Sequence, residues 1–166
     1  MICDHCGEDH PIEEIELAFR RPDVAAALSQ EERERRVDEN ADLCVLDGDR
    51  FFVRAVLPLP LDGGSSVYNI GLWVEVEQGS FEKIYALWDD DAQAEQAPFQ
   101  AWIANQVPHQ QPTTIGLEGR LQLTGSTTRP KVLVAESTHP LYQEQVNGIS
   151  THRAFQYTSL VSKRVV

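Results

Sequence analysis

Residues 42–77 read DLCVLDGDRFFVRAVLPLPLDGGSSVYNIGLWVEVE, and no other stretch constrains the fold as much. Two β-rich runs flank a tight turn at Gly48-Asp49, the signature of an antiparallel hairpin. The second run ends at Pro58 and Pro60, because a proline cannot donate to a strand ladder. DGGSS supplies the next turn. In VYNIGLWVEVE, Leu72, Val74 and Val76 alternate with Trp73, Glu75 and Glu77, so a third strand follows with one dry and one wet face. Three consecutive strands joined by short turns commit the chain to an antiparallel sheet.

Helices and further strands surround this meander. LAFRRPDVAAALS is a loop entering a short helix, with Pro22 in its first turn, where a missing N–H costs nothing. In SQEERERRV, Ser29 and Glu32 form a capping box ahead of a surface helix carrying both signs of charge. Phe81, Ile84, Tyr85 and Trp88 make a helical stripe buried along one side, capped by Ser80. An acidic loop, DDDAQAEQAP, comes next. PFQAWIANQVP reads as a short helix or helical turn bounded by Pro98 and Pro108. Ile115, Leu117, Gly119, Leu121 and Leu123 alternate as a strand, and KVLVAES adds another. HPLYQEQVNG is a helix stopped by Gly148, and STHRAFQYTSLV a last helix. Strands and helices outside a regular βαβ alternation predict an α+β fold: a mostly antiparallel sheet of about five strands with flanking short helices and a cysteine-containing N-terminal knuckle over residues 1–12. A chain of 166 residues is expected to form a single domain over residues 1–166 and to bury about two thirds of its unfolded surface.

Charge narrows the partners. The formal net charge is -12. Residues 1–100 carry 23 acidic and 8 basic side chains, whereas residues 101–166 carry 3 acidic and 6 basic. This asymmetry suits orientation of a basic partner against the acidic part, and its simpler reading is a solvated acidic surface. Nucleic acid is excluded as a partner, because the few basic clusters do not make a phosphate-tracking groove. The longest apolar-leaning run is interrupted by Arg54 and two prolines, and Asp4, Glu8 and Asp9 stand where a secretory leader would be basic and then apolar. A cytoplasmic protein without a membrane span is expected.

The first ten residues, MICDHCGEDH, hold the strongest chemical signal. Cys3-x-x-Cys6-Gly7 spaces two thiolates for one tetrahedral zinc, and the glycine permits the turn between ligands. Cys44 is the natural ligand from a distance, and the remaining position falls to His10, which is near enough to join, or to His139. Four protein ligands would make the zinc structural, leaving no open position for an activated water. Cys3 and Cys6 as a redox dithiol, and simple free thiols, are the alternatives, and His5 points to solvent. A nucleophile and base from Cys44 and His139 competes with Cys44 as a small buried hydrophobe and His139 as a helix-entry residue before Pro140. Asp42, Asp47 and Asp49 suggest a cation site, but Asp47-Gly48-Asp49 is ordinary turn chemistry. Trp73, Trp88, Trp102 and Phe99 read as core. No phosphate loop, nucleophile elbow or zinc-peptidase helix occurs. The functional expectation is a non-enzymatic binding or adaptor protein with a structural zinc site and a protein partner. The alternative is an enzyme or thiol-redox protein using Cys44 and His139, or Cys3 and Cys6.

Taken together, Cys3-x-x-Cys6-Gly7-x-x-His10, LSQEERERRV, DLCVLDGDRFFVRAVLPLP, GLWVEV, FEKIYALWDD, APFQAWI, VPHQQPTTIGL, RPKVLV, THPL and GIS resemble the bacterial family known as domain of unknown function 2199. The likeness spans almost the whole chain, outside PIEEIELAFRRPDV and YTSLVSKRVV. It implies a stand-alone bacterial protein with a cysteine-rich start, places Cys3, Cys6, His10, Cys44 and His139 on positions of the family pattern, and carries over no activity.

Overall fold

In the computed structural model, which describes residues 16–160, the strands are β1 (Val37–Glu39), β2 (Leu43–Leu46), β3 (Arg50–Leu61), β4 (Ser66–Val76), β5 (Phe99–Ile103), β6 (Glu118–Gln122) and β7 (Lys131–Val134). Each pairs antiparallel with its successor, and β7 returns beside β3 in parallel, with Val56 opposite Lys131. The five strands β3 to β7 therefore close into a barrel, and β1 and β2 extend it as a flap. Helices α1 (Asp23–Ala26), α2 (Gln30–Arg36), α3 (Gln78–Leu87), α4 (Pro140–Asn147) and α5 (Thr151–Thr158) flank it. The α+β class and the mostly antiparallel sheet read from the sequence are present. What the pattern did not convey is the closure.

The β2–β3 turn has positive φ at both Asp47 and Gly48, and the Asp49 N–H donates to the Leu46 carbonyl. That is a type I′ turn, whose twist matches the strands it joins. Beyond it β3 alternates cleanly: Val53, Ala55, Leu57 and Leu59 are buried in the barrel, while Arg54, Val56, Pro58 and Pro60 face outward and are half-buried. The prolines do not end the strand as expected, and β3 stays paired with β4 through Leu61 opposite Ser66. The reason lies in which edge they present. A residue's N and C=O point to the same side of a strand, and the Pro58 and Pro60 carbonyls accept from Gln145 Nε2 and the Ile149 N–H rather than from β4. The missing N–H groups thus fall on the edge that α4 covers, and the β4 ladder loses nothing.

Three other expectations are corrected. PFQAWIANQVP is not helical: its first part is β5, with Phe99, Ala101 and Ile103 buried on the inward face. Helix α2 ends at Arg36 and the chain passes straight into β1, whose first residue, Val37, the sequence pattern assigns to the helix and whose remainder it does not mark as a strand. Trp73 is not on a wet face. The arm at residues 17–19 lies along β4 through an Ala18–Gly71 bridge, and Trp73 Nε1 donates to the Phe19 carbonyl beneath that arm. Cys44 and Phe52, paired across β2 and β3, are buried as well. Half of the capping box expected for α2 is present: Ser29 accepts the Glu32 N–H.

Helix α3 buries Ile84 fully and Phe81 and Trp88 in part, but Tyr85 is 66% exposed, so its apolar stripe is narrower than expected. It begins earlier too, at Gln78 after Glu77 rather than after Ser80. Helix α4 seals the place where β3 and β7 part: Gln145 donates to the Pro58 and Val132 carbonyls and accepts the Val134 N–H, so one amide satisfies both strand edges.

Candidate functional site

The expected metal site does not stand. Among the described residues, no group of three or more His, Cys, Asp or Glu side chains is placed to hold a metal ion. The structural zinc, and with it zinc as cofactor and metal binding as a role, is withdrawn. Cys3, Cys6 and His10, with the knuckle over residues 1–12, lie outside the described residues. Cys44, the fourth expected ligand, is 0% exposed on β2, and burial first, then the nearby Glu39 carboxylate, push its thiol up to about 12. At neutral pH it is a protonated core group, not a thiolate ligand or nucleophile.

His139 is no ligand or base either. It caps α4: its Nδ1 accepts the Leu141 N–H, which leaves Nε2 protonated to donate to the Pro112 carbonyl at 2.9 Å. Both ring nitrogens of a neutral imidazole are thereby used. Its ring lies against residues 112–113, whereas Cys44 sits among Glu39, Arg21 and Asp38. The Cys44–His139 pairing required by the enzyme alternative is not formed. The three aspartates separate too: Asp47 takes a bidentate pair from Arg36, and Asp42 faces Arg129.

A group of cations converges elsewhere. Arg21, Arg36, Arg50 and Arg153 are tied to Glu39, Asp47, Glu75 and Glu144 at 2.6–2.8 Å. Arg20, Arg21 and Arg33 share a groove of about 550 Å³ with Glu34, Asp38 and Glu39, so that groove is charge-balanced. Arg33 is further occupied by the Ala26 and Leu28 carbonyls at the end of α1. Arg35 and Lys83 are exposed on α2 and α3 and make no ion pair among the described residues. Arg54, Arg120 and Lys131 likewise have no carboxylate partner among the described residues, and Arg129 reaches Asp42 only at 3.6 Å; what sets these four apart is that they lie together.

These four cations occupy one outer face of the barrel. Lys131 stands between Val56 of β3 and Gln122 of β6, and Arg120 stands between Leu133 of β7 and Gln100 of β5. Arg129 and Arg54 come two residues before the paired Lys131 and Val56, which sets them level in a parallel register. Leu133, between the charges, is 49% exposed. A groove of about 440 Å³ lined by Gln100, Glu118 and Arg120 adjoins it. Of the carboxylates on this face, Glu118 is held by Gln100 Nε2 at 2.7 Å and Asp42 by Arg129.

Arg54 marks the deepest point of the face. Its N–H still donates to Asp42 on the β2 side, and two residues on the Val56 N–H donates to Pro130 on the β7 side. The same edge of β3 thus changes partner at Arg54, and a notch opens where β2 leaves and β7 arrives. Within it Arg54 Nη1 donates to the Ala41 carbonyl at 3.3 Å, while Arg54 Nε is shielded and has no acceptor. Burial, and secondarily Arg129, hold the Arg54 pKa below its usual value, with Asp42 opposing.

Sequence reasoning missed this face. Two signals were available: Arg54 breaks an otherwise apolar run, and residues 101–166 carry the chain's only net positive charge. Neither says that β7 lands on β3.

No helix among the described residues is long and apolar enough to cross a membrane. Comparison with curated proteins and with solved structures finds no significant match. The model of one bacterial family, described as an uncharacterized protein conserved in bacteria (DUF2199), matches residues 2–149. That match carries the family and not a role for the Cys-x-x-Cys-Gly start. A barrel closed by β7 on β3, with four cations gathered along that seam, is thus the described architecture of a chain that belongs to the DUF2199 family.

Proposed function

We propose that the protein binds an acidic segment of a partner polypeptide along the basic barrel face. The observation that carries the reading is the placement of Arg54, Arg120, Arg129 and Lys131 around exposed Leu133 on one face of a chain whose net charge is -12. Three of these cations have no carboxylate partner among the described residues and the fourth has only a 3.6 Å contact, so they contribute little to the protein's own stability and are available to a partner of opposite sign. Leu133, 49% exposed, adds an apolar contact, which a purely electrostatic surface lacks. The sign of the remainder selects the partner's size. Fields extend about 8 Å at physiological ionic strength, so a short acidic segment feels the face alone, whereas a long nucleic acid would cross the acidic surroundings.

Titration of the full chain with a fluorescently labelled peptide rich in Asp and Glu, followed by anisotropy, tests the reading. The peptide binds saturably, a Lys/Arg-rich peptide of equal length does not, and the Arg120→Glu, Lys131→Glu variant loses at least about tenfold in affinity, as expected for lost and inverted charge pairs. Binding unchanged by the double variant, absence of binding, or a stronger response to single-stranded RNA than to the peptide would contradict it.

A further inference from the structure

We propose that the notch between β2 and β7 is a built site for a single oxyanion, gripped between the Arg54 and Arg129 guanidiniums. The inference rests on the reading above for what presents the anion, a carboxylate of the partner's acidic segment, but the site itself is drawn from the notch alone. Two guanidiniums stand level on β3 and ahead of β7, and a single carboxylate, Asp42, faces them at 3.6 Å from Arg129, longer than a hydrogen bond. Only Nη1 of Arg54 is engaged, by the Ala41 carbonyl. Its other edge, Nε with Nη2, is the pair of parallel donors that a carboxylate or phosphoryl group accepts bidentately.

A shielded N–H without an acceptor is unfavourable, and native structures retain few of them. Here the orphan Nε belongs to a cation, and an incoming oxyanion would satisfy it while also offsetting the repulsion from Arg129. The Asp42 and Leu43 N–H groups cannot substitute as anion donors, because both are taken by Asn40 Oδ1 at 2.8 Å. Those two bonds do fix the loop at 40–42, so one wall of the notch is rigid. The other wall is Arg129, whose side chain is 44% exposed and held by nothing closer than Asp42. An anion on the Arg54 fork would therefore have a second guanidinium beside it. Lys131, the next outward residue on β7, leaves the surroundings positive after one carboxylate has bound.

The test follows the Arg54 Nε–H resonance of the full-length protein by NMR while sodium acetate or inorganic phosphate replaces chloride at constant ionic strength. The Arg54 signal shifts saturably with one or both anions, those of Arg36 and Arg50 do not, and Arg129→Gln, a substitution on the surface, weakens the response about tenfold with the amide spectrum otherwise intact. Tighter acetate than phosphate identifies carboxylate as the source, and the reverse order identifies a phosphoryl group; both support an oxyanion site. No saturable Arg54 shift, or an identical titration in Arg129→Gln, overturns it. Anion binding that fails to compete with the acidic peptide supports the notch and defeats the partner reading. Peptide binding with a silent Arg54 signal does the opposite.

Discussion

Burial decides what Cys44 can do. Its thiol is sealed on β2, and loss of hydration raises its pKa from the ordinary value of 9.0 to about 12. The folded state therefore holds the proton more tightly than the unfolded chain. Stability that is complete below pH 9 declines as pH rises from there toward about 12, with a limiting slope of about 1.4 kcal/mol per pH unit. Urea unfolding between pH 8 and pH 11 should show this decline in the wild type and a shallower one in Cys44→Ala. A disulfide reagent at pH 8 should label Cys44 only at the rate of unfolding. Prompt labelling, or parallel pH curves, would show a thiol far less buried. Arg54 is the converse case: half-buried beside another cation, it retains its charge, and only its surroundings lack balance.

The strands show where a sequence does and does not speak. The β2–β3 hairpin was legible because Asp47-Gly48 encodes a turn through local backbone energetics, and α4 was legible because His139, Pro140 and Gly148 mark its ends. Pro58 and Pro60 misled, since a sequence records that an N–H is missing but not which edge of the strand would have used it. FQAWI misled because so short a stretch between prolines satisfies a helical or an extended reading equally, and only the barrel supplies the inward surface that selects Phe99, Ala101 and Ile103. Gly119, which the sequence showed merely as a position in an alternating run, is required by close approach: a Cβ there would lie 2.7 Å from the Leu133 carbonyl oxygen. Gly119→Ala must push β6 from β7 and should cost about 1–3 kcal/mol by denaturant unfolding. A neutral result would mean that this side of the barrel yields more easily than the paired register implies.

At the level of the molecule, the charge asymmetry was visible in the sequence and its geometry was not. Residues 101–166 announced their positive balance, but the juxtaposition of Arg129 with Arg54 depends on a parallel β3–β7 contact between segments far apart in the chain. The expected zinc centre failed for a related reason. Spacing brings thiols near one another only within a local turn, and Cys44, which had to come from afar, belongs instead to a buried cross-strand pair with Phe52. On the proposed reading, the cations on the barrel seam form one recognition face for an acidic partner. Mapping backbone amide shifts of the full chain on addition of an Asp/Glu-rich peptide tests it most directly. Perturbations should gather at Arg54, Arg120, Arg129, Lys131 and Leu133 and fade as salt is raised; shifts centred instead on the Arg20 and Arg33 groove, or spread evenly over the surface, would contradict it.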